Sequence, residues 1–227
     1  MSLHSYLNRC DDRLRALRDQ DLLRVPAVVD VLPEGRCCID GRTLVNLGGN
    51  DYLNLAHEIT PHGTCESAAL MPAGATASAA VAGRSRSHAQ LEQVLAEFEG
   101  TESALLFPTG FAANLGVLGS LVESDDAVFC DRDNHASIID AARSCDGRLL
   151  VYRRDRLEAF EQSLAQRRSS YQRVYIVTDG VFSMDGEAAP LQQLCDIAER
   201  HDSAVIVDKA HGTGIIGATP FPTIDSP

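Results

Sequence analysis

The 227-residue chain contains no tryptophan, and aromatic residues make up only 5% of it. It has a single lysine, Lys209, so nineteen of its 20 basic residues are arginine. Any chemistry that needs a lysine amine must use Lys209 or go without. Positive charge is scarce relative to negative, with 32 acidic groups and a formal net charge of −12. That balance excludes a nucleic-acid binder, since nothing offsets repulsion from phosphate. It equally excludes a polybasic membrane-surface protein. No apolar run approaches membrane-spanning length, and residues 1–20 hold no apolar core of signal-peptide type. These absences predict a cytoplasmic protein. The 7 cysteines (Cys10, Cys37, Cys38, Cys65, Cys130, Cys145 and Cys195) are odd in number and include no CxxC pair. They read as reduced thiols rather than a disulfide or zinc framework.

What is present fits one large domain, or a domain and a half, with 44% hydrophobic residues. Residues 4–20 read as an arginine-rich helix with Leu7, Leu14 and Leu17 at helical spacing. Pro26 and Pro33 break that pattern, and a β-like stretch at Cys37–Leu47 turns at Asp40-Gly41. Asn50–Leu55 looks like a loop entering a helix, and residues 60–87 form the least regular region, holding Pro61, Gly63, Pro72, Gly74 and Gly83. Ser87 with Gln90 forms a capping-box pattern; Leu91, Leu95 and Phe98 mark one helical face, and Gly100 supplies a stop. Short apolar runs then follow at Ala104–Phe107, Ala127–Cys130, Leu149–Tyr152, Val174–Val177 and Ala204–Val207. They alternate with helical patterns near 111–121, 136–143, 155–166 and 190–201, the last opened by Pro190. Apolar strands alternating with helices predict an α/β fold with a largely parallel sheet covered on both faces.

In such sheets ligands collect beyond the carboxyl ends of the strands. After Ala104–Phe107 comes Pro108-Thr109-Gly110-Phe111-Ala112-Ala113-Asn114, a strand–turn–helix junction. Its free N–H groups make either a phosphate cradle or an ordinary glycine bend. After Ala127–Cys130, Asn134 is a candidate cap for the next helix, with His135 in its first turn. That histidine is either a surface group or, given its place at the ligand end of a strand, a catalytic one. After Val174–Val177, the polar loop from Thr178 to Gly186 carries two carboxylates and the Ser183 hydroxyl, serving either a turn or a ligand. Asp208 ends the last apolar run, with Lys209, His211 and Gly212 behind it. An acid there needs a positive partner: an arginine, or the protonated ring nitrogen of a cofactor.

Together these segments resemble the α-oxoamine synthases, fold-type I enzymes that use pyridoxal 5'-phosphate (PLP). The resemblance covers residues 46–217. It rests on Asn50-Asp51-Tyr52-Leu53, Gly110–Asn114, Asn134-His135-Ala136-Ser137, Thr178–Gly186 followed by Ala189-Pro190-Leu191, and Asp208–Gly214. It implies an aspartate aminotransferase-like, fold-type I major domain over 46–227, preceded by an N-terminal helix and short β segment over 1–45. By the family pattern, Asp208 would keep the pyridinium nitrogen protonated, His135 would stack on the ring, and His211 would bond its hydroxyl. Gly110 and Phe111 would offer N–H groups on the phosphate side, Ser183 would line the same pocket, and an arginine, Arg24 or Arg18, would bind substrate carboxylate. The implied reaction is decarboxylative condensation of an amino acid, alanine favoured, with an acyl-CoA or pimeloyl thioester. A homodimer or heterodimer is the implied assembly.

Three features depart from the family. The Schiff-base lysine of the family lies beyond the Asp-x-Ala-His motif, and Lys209 stands where the family usually has an acid. Without that amine nothing shuttles the α-proton, so the chain alone is expected to be inactive. The strands present would leave Ala104–Phe107 without its neighbours, a chain truncated before its last strands and small domain and marginal in stability without a partner. The loop Gly74–Gly83 is poorer in glycine than the family and has Ala79 where an arginine is common. The alternatives to an acyltransferase are a non-catalytic partner subunit of a heterodimeric relative and a decayed fragment.

Overall fold

The structure, a computed structural model, describes residues 3–53, 55–57 and 74–215, with the backbone alone for 3–5 and 57. Cys65, Pro61, Gly63, Pro72 and the last residues of the family resemblance lie outside the described residues. The chain forms two compact units, one of Met1–Ala16 with Phe107–Pro227 and one of Leu17–Leu106. Helix α1 (Leu3–Asp19) begins in the first and ends in the second.

In the unit of residues 17–106, β1 (Asp30–Leu32), β2 (Arg36–Ile39) and β3 (Arg42–Val45) form an antiparallel meander. Its second turn is the expected Asp40-Gly41 pair, both at positive φ (49° and 75°), which suits the twist of a tight hairpin. Val29, Cys37 and Ala82 form a small core beneath it. The loop of residues 74–83 closes on Ser78, whose carbonyl accepts from the N–H groups of Val81, Ala82 and Gly83. A Cβ on Gly83 would sit 1.9 Å from the Ala77 carbonyl oxygen, so that glycine is required by contact.

Helix α2 (Arg86–Glu99) starts two residues earlier than the Ser87–Gln90 pattern predicts. Its N-cap is Ser85, and the box is completed by His88, whose ring nitrogen accepts from the Ser85 N–H. Histidine can fill the role because the box needs only an acceptor three residues on. Its buried residues are Glu92 and Ala96, while Leu91 is half exposed. Glu92 is held there by Arg84 at 2.6 Å and by the Leu106 N–H. Gly100 ends the helix in the left-handed region as expected.

The other unit is built on a four-stranded parallel sheet in the order β5-β4-β6-β7: β4 (Ala127–Asp131), β5 (Arg148–Tyr152), β6 (Val174–Asp179) and β7 (Ala204–Asp208). Helices α3 (Gly110–Leu121) and α4 (Ala136–Ser144) cover one face, and α5 (Leu157–Arg167) and α6 (Leu191–Arg200) the other. The pleat assigns alternate residues to the two cores. Val128 and Cys130 join Leu118, Ile138, Ala141 and Tyr6 of α1; Ala127 and Phe129 join Phe160, Leu164, Leu194 and Ile197. Tyr6 also donates to the Val174 carbonyl, and Arg9 pairs with the fully buried Asp126 at 2.8 Å.

The predicted strand Ala104–Phe107 does not form: the segment is irregular, with Leu105 67% exposed. A strand is stabilised by its ladder, and among the described residues no strand pairs with this one.

Candidate functional site

Three chain segments meet at the carboxyl ends of β4, β6 and β7. Asp179 and Asp208 end neighbouring strands in register, and Gly180 N–H donates to the Asp208 carbonyl at 2.7 Å. Half-buried Asp208 is held by two neutral donors: Asn114 Nδ2 at 2.9 Å on one oxygen and the Ala210 N–H at 2.9 Å on the other. The same Asn114 amide donates to Ser137 Oγ at 2.9 Å, and Ser137 Oγ lies 2.7 Å from His135 Nδ1. A chain of polar contacts thus runs from Asp208 through Asn114 and Ser137 to His135.

The sequence expectation for Asn134 is corrected here. His135 itself caps α4, its Nδ1 accepting from the Ser137 N–H. Asn134 turns inward, donating to the Val177 carbonyl and accepting from the Asp179 N–H. A buried asparagine with both ends of its amide engaged stitches β4's end to β6 better than a cap would. The His135 N–H in turn donates to Asp179 Oδ2 at 2.7 Å. Burial pushes the Asp179 carboxyl above the usual range; the His135 N–H bond opposes this, Asp208 adds to it, and His135 and His211 pull back. Asp179, Asp208, His135 and His211 therefore share one electrostatic neighbourhood.

Helix α3 opens at Gly110 with Thr109 as its cap, whose hydroxyl accepts from the Ala112 N–H. Gly110 and Phe111 are exposed, and a Cβ on Gly110 would meet nothing within 4 Å, so the helix N-terminus is open to an anion. Ser183 is exposed at the tip of a hairpin closed by the Val181–Ala188 bridge and by the Phe182 N–H to Glu187 carbonyl bond of 2.9 Å. His211 is exposed in the turn after β7. Lys209 is half-buried, and its carbonyl accepts from Gly212 and Thr213. Arg24 is exposed in the irregular segment before β1, and Arg18 lies in the last turn of α1; both belong to the unit of residues 17–106.

Sequence reasoning gave no role to Asn114, Ser137 or Asp179. The signal for Asn114 was its place one turn into α3, since helical side chains lean toward the N-terminus and hence the ligand end of the sheet. Among the described residues, no basic side chain lies within ion-pair distance of Asp208. A carboxylate whose donors among the described residues are neutral amides fits a protonated ring nitrogen as its cationic partner.

A doubly covered parallel sheet with an acid, a histidine and an open helix N-terminus at its carboxyl edge is an α/β domain with a candidate ligand site, and its neighbours among solved structures have the fold of fold-type I PLP enzymes. Residues 42–225 match the Aminotransferase class I and II family, and the chain belongs to it. It is 44% identical over 205 residues to 8-amino-7-oxononanoate synthase of Herminiimonas arsenicoxydans, covering 90% of this chain and 52% of that one. The enzyme of the same name from Geobacter sulfurreducens is 42% identical over 205 residues, with the same coverage. Among solved structures, a serine palmitoyltransferase from S. paucimobilis with bound PLP–myriocin superposes with a TM-score of 0.65 at 26% identity, over 97% of this chain and 56% of that one. An 8-amino-7-oxononanoate synthase from Francisella tularensis gives 0.50 at 32% identity, over 63% and 40%. The chain thus spans about half the length of the relatives it matches.

Proposed function

We propose that this chain builds the PLP-binding part of an α-oxoamine synthase of the 8-amino-7-oxononanoate synthase type. The observation that carries this reading is Asp208, set at the end of β7 with Asn114 Nδ2 on one carboxylate oxygen and the Ala210 N–H on the other. When bound, PLP would supply an electron sink at the α-carbon of an amino acid, alanine favoured, for condensation with a pimeloyl thioester or acyl-CoA. The chain's own residues would do the rest. Asp208 would hold the proton on the ring nitrogen, and Asn114 would keep its carboxylate aimed. His135, fixed by the Asp179 carboxylate and Ser137, would pack on the ring face, and His211 would bond the ring hydroxyl. The Gly110 and Phe111 N–H groups, with Ser183, would receive the phosphate.

Lys209 favours a second element of the reading. As the one lysine in the sequence, it follows Asp208 directly along the chain, and alternation turns successive side chains to opposite sides of a strand end. We therefore assign cofactor holding to these 227 residues and no catalysis to them on their own. That is the behaviour of a non-catalytic partner subunit or of one part of a larger site.

Titration of the purified protein with PLP, followed by absorbance and calorimetry, tests the reading. Saturable binding that weakens roughly tenfold or more in Asp208→Ala is expected, the loss of one charge-assisted contact. Equal affinity in wild type and variant, or no saturable binding, would refute it. A borohydride-stable adduct on Lys209 with amino-acid-dependent CoA release would refute the assignment of no catalysis.

A further inference from the structure

We propose that Arg154 is a positioning residue that locks the Ser183 hairpin to the His135 segment, so that the two cofactor-facing elements are held as one piece. The proposal rests on the PLP reading for its consequence and on geometry alone for the lock.

Arg154 follows β5 and is only 12% exposed at its side chain. Its backbone N–H donates to Asp131 Oδ2 at 3.0 Å, anchoring it to the end of β4. Nη1 donates to Asp133 Oδ2 at 2.8 Å and lies 3.6 Å from Asp131 Oδ1. Nη2 donates to Asp185 Oδ2 at 2.8 Å and to Glu187 Oε2 at 2.9 Å, with Nε 3.3 Å from the same Glu187 oxygen. The guanidinium plane covers the Phe182 ring, Cζ lying 3.8 Å from its centroid. Asp131 and Asp133 lie four and two residues before His135, whereas Phe182, Asp185 and Glu187 lie around Ser183 in the hairpin. One side chain therefore bridges both segments.

The physical reason for an arginine is the count of partners. Four carboxylates converge, and without the cation they would repel across the gap between hairpin and sheet. A planar fork with five donors and a flat face can serve them and stack on Phe182 together; a lysine ammonium cannot. The hairpin's own bonds fix its shape, including the Gly186 N–H to Phe182 carbonyl bond of 2.8 Å with Gly186 at φ +72°. Arg154 fixes where that shape sits.

Hydrogen exchange read by mass spectrometry on the whole chain tests the lock. Arg154→Gln and Arg154→Lys should each raise exchange in the 180–189 peptide about tenfold or more, the worth of a charge-assisted bond. The β4 and β6 peptides should change by a smaller factor than the hairpin, any rise in β4 reflecting its buried Asp131. Glu187→Gln alters an exposed carboxylate that takes no part in the core, and should loosen the same peptide by a smaller factor. Unchanged hairpin exchange in both Arg154→Gln and Glu187→Gln, or full rescue by Arg154→Lys, would overturn the proposal.

A cycle of PLP affinities separates positioning from general damage. If Arg154 acts through the hairpin, Ser183→Ala should cost affinity in the wild type and almost none in Arg154→Gln. Additive losses would overturn the positioning role. Wild-type protein that binds no PLP would sink the cofactor reading instead, and the exchange experiment would still decide the lock.

Discussion

Replacing Arg9 with methionine should unfold the sheet unit several degrees earlier, because Arg9 is the counter-charge of a carboxylate with no other way out. Asp126 is fully buried, with Arg9 Nη1 at 2.8 Å; its remaining acceptor capacity is taken by the Glu123 and Arg173 N–H groups. The guanidinium also reaches Glu123 at 3.0 Å, the Tyr175 hydroxyl at 2.9 Å and the Leu121 carbonyl. Methionine refills the aliphatic stem but strands the acid. Removing one partner of a buried pair costs about 3–5 kcal/mol. Glu123 is 41% exposed at its side chain and contributes little, so the low end, about 3 kcal/mol, is the working figure. For a chain of this size that lowers Tm by roughly 6–12 °C. The assay is far-UV circular dichroism, since the sequence has no tryptophan to report by fluorescence. Adding Asp126→Asn to Arg9→Met should recover part of the loss, because the uncompensated charge disappears. A Tm within about 2 °C of wild type for Arg9→Met, with no recovery in the double variant, would refute this account.

Two further outcomes follow from burial. The Asp179 carboxyl is raised mainly by desolvation, so the folded state holds its proton more tightly than the unfolded chain. Its contribution is then favourable at low pH and lost as pH rises from the unfolded carboxylate value through the raised folded one. Asp179→Asn, which keeps an acceptor for the His135 N–H, should be at least as stable as wild type at neutral pH and flatten that limb in pH-dependent denaturant melts; a clear neutral-pH destabilisation would contradict it. The Cys130 thiol is pushed up to about 12, chiefly by burial. Iodoacetamide at pH 8 should spare it in the native protein, as peptide mapping would show, and modification of Cys130 as fast as of half-buried Cys38 would contradict the packing.

Legibility in the sequence tracked how local the deciding physics was. The four sheet strands and the helices covering them were readable because each strand is a short apolar run followed by turn or loop residues, with β4 and β6 fully enclosed. The Asp40-Gly41 hairpin and the Gly100 stop follow from backbone freedom at single residues. Ala104–Phe107 has the same apolar run as β4 yet stays irregular, because a strand needs a partner and the run cannot show whether one is present. Ser87 lost the α2 cap to Ser85, since two serines compete two residues apart and His88 decides between them. In the site, Asp208, His135 and Gly110 were visible as strand-end or helix-start residues. Asn114, Ser137 and Arg154 were not, because each acts by joining segments far apart in sequence: Asn114 reaches across 94 positions to Asp208.

The two acids at the carboxyl edge explain why this site is poised rather than merely built. Asp179 and Asp208 stand in register on adjacent strands, and the Asp208 charge is one of the causes that raise Asp179. Neutral donors hold Asp208, and the histidines that ease Asp179 are themselves exposed. Such an arrangement sets two acids side by side at neighbouring strand ends, and the repulsion that helps raise Asp179 is a cost to the folded state. On the proposed reading the cost is relieved on binding, when a cationic ring nitrogen meets Asp208 and lowers the repulsion felt by Asp179. Binding and folding are then linked through one local charge balance: a ligand that satisfies Asp208 stabilises the native state by mass action. Asp179 serves that balance twice, fixing His135 by its N–H bond and remaining the acid whose proton affinity falls when the site is filled.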